Sequence, residues 1–306
     1  MKEIISVRAP ATTANLGPGF DCLGLALDIW NETSFEIGHS DLSIRGEGEN
    51  ELVLDLNNLL YRAFAKPFEI IGRDVPAVSI KAKNEIPVGR GLGSSAAAIV
   101  SGLIAGDKAT GIGLSQDEIL TLAAEMEGHA DNVGPALLGG LQIVVSSNQE
   151  WVTSQVPIPK KISLIIFIPD KPVLTSDARS SLPEAVTLDD AKFNIGRASL
   201  FVNSMAQGDI DHLGIATQDR LHQDYRAALL PGINSVMKGA LSAGAACVFI
   251  SGNGSNLKSI IKSSRDYNFP IKIELIISNN KKAKGLMHAK KYGITFKFFS
   301  SDNKKE

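Results

Sequence analysis

The chain has 306 residues, 44% hydrophobic and 21% charged, enough to fill a substantial core and unlike the composition of a disordered chain. Lys and Arg number 31 against 33 Asp and Glu, so no global positive field exists to hold nucleic acid, and none is expected as a partner. Cys22 and Cys247 form no disulfide framework or metal spacing, the N-terminus lacks a signal-peptide core, and the apolar runs fall short of the ~20 residues of a membrane span, which predicts a soluble cytoplasmic protein without a membrane partner.

In chain order, "KEIISVR", "LGLALDI", "TSFEIG" and "PAVSIKAK" have strand composition and are separated by Gly, Pro, Asn and Asp. Helical spacing marks residues 51–66, before the last of these strands, and then Ser94 to Ala109, which Gly111 stops. A further helix is predicted from Gln116 to Glu127, with Ser115 and Glu118 as a capping box and Gly128 ending it. "HADNVGPALLGG", residues 129–140, reads as a long loop before the strand "LQIVV".

"VPIPKK", residues 156–161, is the candidate linker, which divides the chain into two α+β domains, 1–156 and 157–306. The second is expected to hold the strand "ISLIIFI", a helix from Asp189 to Gln207, a helix introduced by Pro231, and the strand "AACVFI". A second glycine loop, "SGNGSN", follows, and then helix, strand "IKIELII", helix, strand "ITFKFF" and a charged tail.

Between Pro87 and Ala98, "PVGRGLGSSAAA" puts three glycines and two serines before a predicted helix. Glycine lets the backbone approach a ligand, and a helix N-terminus points unpaired N–H groups outward, together an anion site suited to phosphate. A turn and a serine-capped helix packed on a sheet account for the same residues. The segment lacks the lysine of a Walker A loop and the spacing of a dinucleotide fingerprint. A triphosphate held by amides, a helix dipole and hydroxyls carries charge that a divalent cation must share. Ser94 or Ser95 offers one oxygen for it, and a carboxylate is needed beside it.

Glu125 and Glu127 are the acidic choices. At 100° per residue, Ile119, Leu120, Leu122, Ala123 and Met126 share one face, and Glu118, Thr121 and Glu125 lie opposite. Glu127 lands at the edge of the apolar face, where a carboxylate is costly unless paired, or where a frayed helix end lets it reach water. Asn15 and Asp21 flank a Gly-Pro-Gly turn, for which ordinary turn chemistry suffices. His129, Asp131 and Asn132 follow a helix end, where a lone histidine commonly caps. Arg179 and Arg226 are individually unremarkable.

Taken together, these segments resemble one family. "IPVGRGLGSSAA" is similar to the phosphate loop of the GHMP kinases, those of galactose, homoserine, mevalonate and phosphomevalonate. "PATTANLGPGFDCLGLALD" and "EGHADNVGPALLGG" resemble the first and central motifs of the homoserine kinases, and "TSDARSSLP" and "LHQDYRAALLPG" two further segments of theirs. "SGNGSN" resembles the third family motif, although it reads Ser251-Gly252-Asn253-Gly254-Ser255 where serine-glycine-serine-glycine-proline is usual.

The resemblance implies an α+β, two-domain GHMP-kinase fold. Its N-terminal domain has a left-handed βαβ unit, an exception to the usual hand, its C-terminal domain is ferredoxin-like, and the active site lies between them. It also implies ATP-dependent phosphorylation of the side-chain hydroxyl of L-homoserine in threonine biosynthesis, with Mg²⁺.

By the same resemblance, Arg179 and Arg226 hold the substrate carboxylate, a task suited to a guanidinium fork. Asp21 pairs with the ammonium, Asn15 and His129 place the rest, Thr175 and Gly252 line the site beside the γ-phosphate, and Asn132 lies by the reacting hydroxyl. The nucleotide loop comprises Pro87, Val88, Gly89, Arg90, Gly91, Leu92, Gly93, Ser94, Ser95, Ala96 and Ala97, with Asn58 bordering the adenine and Ser95 and Glu127 sharing the metal. Asparagine cannot take a proton, so transfer rests on alignment and charge stabilisation, the proton leaving to the phosphate. Two rival readings remain: a mevalonate-pathway kinase, whose substrate has no ammonium for Asp21, and a non-catalytic sensor of nucleotide and amino acid. The sequence is compatible with a homodimer and does not fix the oligomeric state.

Overall fold

Alternation of apolar and polar residues makes the first strand. In β1, Ile4–Asn15, the residues Ile5, Val7 and Ala9 are buried while Ser6 and Arg8 face outward, the period of two that one covered sheet face imposes. The computed structural model describes residues 4–148, 150–160, 162–166, 175–230 and 232–250, and the backbone of 275–278 and 295–298. Contacts divide the chain into two compact units. The first holds most of the chain to Gln155; the second holds the described residues from Val156 onward together with Ala14–Phe20 and Gly89–Gly91.

The first unit is a sheet with helices. Strand order is β3-β4-β2-β5-β6, with β1 paired to β2. β2 spans Gly19–Ile37, β3 Asp41–Gly46, β4 Val78–Asn84, β5 Leu141–Ser147 and β6 Glu150–Val156. β2 pairs antiparallel with both β4 (Glu32↔Lys83 to Ile37↔Val78) and β5 (Leu23↔Ile143), whereas β3 and β4 run parallel. The helix α1, Leu59–Ile70, connects that parallel pair.

Two expected strands, "LGLALDI" and "TSFEIG", are one continuous β2 because the polar residue between them is satisfied in place. Buried Asn31 accepts from the backbone N–H groups of Glu85 (2.8 Å) and Ile86 (3.0 Å). The same bonds fix the chain just before Pro87.

α1 starts later than the periodicity of 51–66 suggests. Asn58 is its N-cap, accepting from Leu60 N–H at 3.0 Å and donating to the Val53 carbonyl at 2.6 Å, so the residues before it are held as a turn. α2 spans Ser94–Thr110 and ends at left-handed Gly111. Its Gly102 and Gly106, one turn apart, lie against α1: a Cβ at either would come within 2.7 Å and 2.3 Å of the carbonyl oxygens of Leu60 and Phe64. α3, Gln116–Glu127, has the full Ser115–Glu118 capping box, and Ile119, Leu120, Ala123 and Ala124 are buried. The segment expected as a loop contains a short helix, α4, Val133–Leu138, whose Val133 and Ala136 complete the core that α2 and α3 begin.

In the second unit, α5 spans Thr175–Ser180, α6 Leu188–Gln207, α7 Leu213–Ala216, α8 Gln223–Ala228 and α9 Ile233–Ser242. β7, Leu275–Ser278, pairs parallel with β8, Thr295–Phe298. Residues 162–166 and 245–250, read as strands, pair with no strand among the described residues. Apolar composition favours a strand, but a partner's hydrogen bonds make one. Pro231, the second glycine loop with Gly252, the helices expected after it and the charged tail lie outside the described residues. No described helix is long and apolar enough to cross a membrane.

Candidate active site

The N-terminus of α2 is built without a side-chain cap. Its N-cap is Gly93 (φ 65°), not a serine, and there is no side-chain cap hydrogen bond. That departs from the serine-capped reading: the hydroxyls are left for other partners. Gly89, Gly91 and Gly93 all have positive φ (66°, 67° and 65°), a conformation that L-residues with a Cβ resist. At Gly93 space decides as well, since a Cβ would fall 1.9 Å from the Thr12 hydroxyl oxygen.

Ser95 donates to Glu127 Oε1 at 2.5 Å, joining the start of α2 to the last residue of α3. Glu127 is half-buried, and burial above all raises its carboxyl from the ordinary range; the Ser95 bond and His129 oppose this and Asp131 adds to it. Glu125 is exposed, as the helix phase requires. Past Gly128 the chain turns so that His129 Nδ1 lies 2.7 Å from Asp131 Oδ1, and Asn132 Nδ2 donates to the same oxygen at 3.2 Å. The Thr12 hydroxyl donates to Asn132 Oδ1 at 2.8 Å. One polar cluster therefore links β1, the starts of α2 and α4, and the end of α3. No group of three or more His, Cys, Asp or Glu with metal-binding geometry occurs among the described residues. A hydroxyl beside one carboxylate suits Mg²⁺, which completes its shell with phosphate and water oxygens.

The second unit gathers the arginines. Arg179 (α5) and Arg226 (α8) have their guanidinium carbons 5.8 and 5.2 Å from the centroid of the Phe20 ring, and the His222 ring lies 5.3 Å from it. Arg226 is buried, only 6% exposed. Just before α8, the covered Asp219 carboxylate accepts from the backbone N–H groups of Leu221, His222 and Gln223 and from Asn194 Nδ2 at 2.6 Å. His222 Nε2 lies 2.6 Å from the Gly17 carbonyl, and Asn194 Nδ2 also reaches the Pro18 carbonyl at 3.4 Å. These contacts hold the turn that carries Asn15 and Phe20. Asn15, Leu16 and Gly17 take φ of 73°, 44° and 81°, costly for buried Leu16 and tolerable for Asn15.

Asp21 also has positive φ (57°) and is half-buried; with burial first, it and Asp131 raise the Cys22 thiol. Thr175 opens α5, the helix of Arg179. Asn58 stands apart, its carboxamide committed to capping α1. Sequence alone assigned no role to Thr12, Phe20, His222 or Asp219, although the first three sit inside the motifs that carry the resemblance.

The sequence matches the GHMP kinases N terminal domain family over residues 58–140. It is 45% identical over 259 residues to the homoserine kinase of Caldanaerobacter subterraneus subsp. tengcongensis, covering 84% of this chain and 83% of that protein. It is 39% identical over 279 residues to the homoserine kinase of Clostridium botulinum (strain Langeland), covering 91% and 93%. Among solved structures, the homoserine kinase from Cytophaga hutchinsonii superposes with a TM-score of 0.71 at 31% identity, over 83% of this chain and 84% of that one. A mevalonate kinase from L. major shares the fold at a TM-score of 0.59 and 13% identity, over 89% of this chain and 94% of that one. On this likeness the α+β chain has the GHMP-kinase fold, and it belongs to the homoserine kinase family.

Proposed function

We propose that this chain transfers the γ-phosphoryl group of ATP to the side-chain hydroxyl of L-homoserine, giving O-phospho-L-homoserine and ADP in threonine biosynthesis. The single observation that carries the reading, beside family membership, is the Ser95–Glu127 pair at a helix start whose N-cap is glycine. Amides of the first turn of α2 receive phosphate oxygens there, helped by the helix dipole. Ser95 and Glu127 hold Mg²⁺, which when bound shares the negative charge of the phosphates. Burial disfavours the ionised form of Glu127, which a cation held there would offset.

Arg179 and Arg226 take the homoserine carboxylate, Asp21 the ammonium, and Asn15 and His129 orient the chain between them. Thr175 and Gly252 line the γ-phosphate, and Asn58 at the start of α1 borders the adenine. Asn132 accepts a hydrogen bond from the substrate hydroxyl and aligns its oxygen. That oxygen attacks the γ-phosphorus, the bond to the bridging oxygen breaks, and the hydroxyl proton passes to the transferred phosphate. Phosphoryl transfer asks mostly for positioning and charge stabilisation, so a side chain that cannot take a proton is no obstacle. Residues 1–156 and 157–306 serve as the nucleotide-loop domain and its partner domain in a cytoplasmic enzyme that needs neither nucleic acid nor membrane.

The test is ADP release in the presence of homoserine, mevalonate or neither. Turnover with homoserine alone is expected. Preference for mevalonate overturns the substrate assignment, and nucleotide binding without turnover makes the chain a sensor.

A further inference from the structure

Thr12 lies in β1, 120 residues from Asn132 in sequence, and is fully buried. Three contacts converge on it. Its backbone N–H donates to the Leu92 carbonyl at 3.0 Å, its hydroxyl oxygen occupies the space that a Cβ of Gly93 would need, and its hydroxyl donates to Asn132 Oδ1 at 2.8 Å. One residue thus touches both the end of the phosphate loop and the carboxamide of Asn132.

The direction of the last bond follows from chemistry. The Asp131 carboxylate accepts and does not donate, so the NH₂ end of Asn132 must face it. The Oδ1 end then faces Thr12, and only a donor satisfies it. A carboxamide with one side free can flip end for end; this one is held at both ends. Thr12 engages one lone pair of Oδ1 and Asp131 one hydrogen of Nδ2, and the second Oδ1 lone pair is the one offered to a substrate.

We infer that Thr12 is a positioning residue for phosphoryl transfer: its hydroxyl locks the Asn132 carboxamide with Oδ1 toward the acceptor hydroxyl, in register with the phosphate loop to which its backbone is tied. This rests on the reading of Asn132 as the neighbour of the reacting hydroxyl. Alignment gained this way acts on the transfer step rather than on binding, because Asn132 touches neither the carboxylate nor the ammonium. Removing the Thr12 hydroxyl therefore lowers kcat and leaves both KM values near their parent values.

The experiment is a double-mutant cycle of Thr12→Val, which keeps the shape and deletes the donor, with Asn132→Ala. Thr12→Val alone is expected to lower kcat roughly tenfold, the loss of one buried hydrogen bond, with KM for ATP and homoserine unchanged. Thr12→Ser, which keeps the donor, is expected to retain kcat within about threefold. In the Asn132→Ala background Thr12→Val is expected to change kcat less than about twofold, because the group it orients is gone. Thr12→Ala carries the same cycle if the valine variant does not fold. Independent, additive losses, or a serine variant as poor as valine, overturn the role of Thr12 while leaving that of Asn132 intact. Full kcat in Asn132→Ala alone instead overturns the placement of Asn132, and the Thr12 inference with it.

Discussion

The two clusters of candidate residues are held by different forces. Around Asn132 the fixings are hydrogen bonds of Thr12 to Asn132, Asn132 to Asp131 and Ser95 to Glu127, with His129 Nδ1 close against Asp131. Around Arg226 they are flat faces, two guanidinium groups and an imidazole about one phenyl ring, with Asp219 bonded to the backbone that leads into α8. The difference teaches how each group must be presented. A carboxamide or hydroxyl works only in one orientation, and directional bonds set it. A guanidinium bonds through its edge, so resting its face on an aromatic ring positions it while its in-plane donors stay in use for hydrogen bonds.

If the first cluster centres on a metal, breaking its carboxylate should have the largest effect. Glu127→Gln is expected to lower Mg-dependent turnover on the order of a hundredfold, the upper range for groups that tune a bound metal, whereas exposed Glu125→Gln should be nearly silent. Equal effects in steady-state assays would erase the distinction between the two acids. In the second cluster, truncating one member of a buried charge pair costs about 2–5 kcal/mol, roughly 30-fold or more in kcat/KM. Arg226→Ala should reach this for homoserine, half-buried Arg179→Ala should fall below it, and ATP affinity should hold in both. An amino alcohol lacking the carboxylate should be a poor substrate for the parent and be disfavoured much less by the variants.

Asp219→Ala tests the support rather than the ligand contacts. It orphans three backbone N–H groups and Asn194, so urea unfolding should show a loss of about 2–4 kcal/mol; removing the exposed Ser115 cap should cost only about 1 kcal/mol. Phe20→Leu keeps apolar bulk and deletes the ring face, worth about 0.5–2 kcal/mol. It should raise KM for homoserine several-fold without touching KM for ATP, and an unchanged KM would make the ring mere filling.

The smallest effect sharpens the comparison through the two thiols. Burial leads in raising both, but Asp21 and Asp131 add to it at Cys22, whereas at Cys247 a Thr217 hydrogen bond opposes it. A raised thiol holds less thiolate at a given pH, so alkylation of each should rise with pH later than for an exposed thiol. Asp21→Asn should move the Cys22 profile back toward lower pH and leave that of Cys247 where it was.

Much of the local structure was legible in the chain because its causes are local. The capping box of α3, the glycines that end α2 and α3, and the exposure of Glu125 against half-buried Glu127 follow from interactions within a turn or two of helix. The motif positions that carry the resemblance are equally a property of the string of residues. Strand limits were less legible, since the expected break in β2 vanishes only when Glu85 and Ile86 arrive to satisfy Asn31.

What tertiary structure alone decided is which distant groups share a bond. "PATTAN" does not say that its Thr12 faces Asn132, nor does "GPGF" say that Phe20 lies beneath Arg179 and Arg226. The sequence by itself determined the ends of α2 and α3, the glycine positions and the family. The partners of Thr12, Phe20 and Asp219 were decided by the fold, because a hydrogen bond or a ring contact depends on distance in space, and separation along the chain carries no record of it.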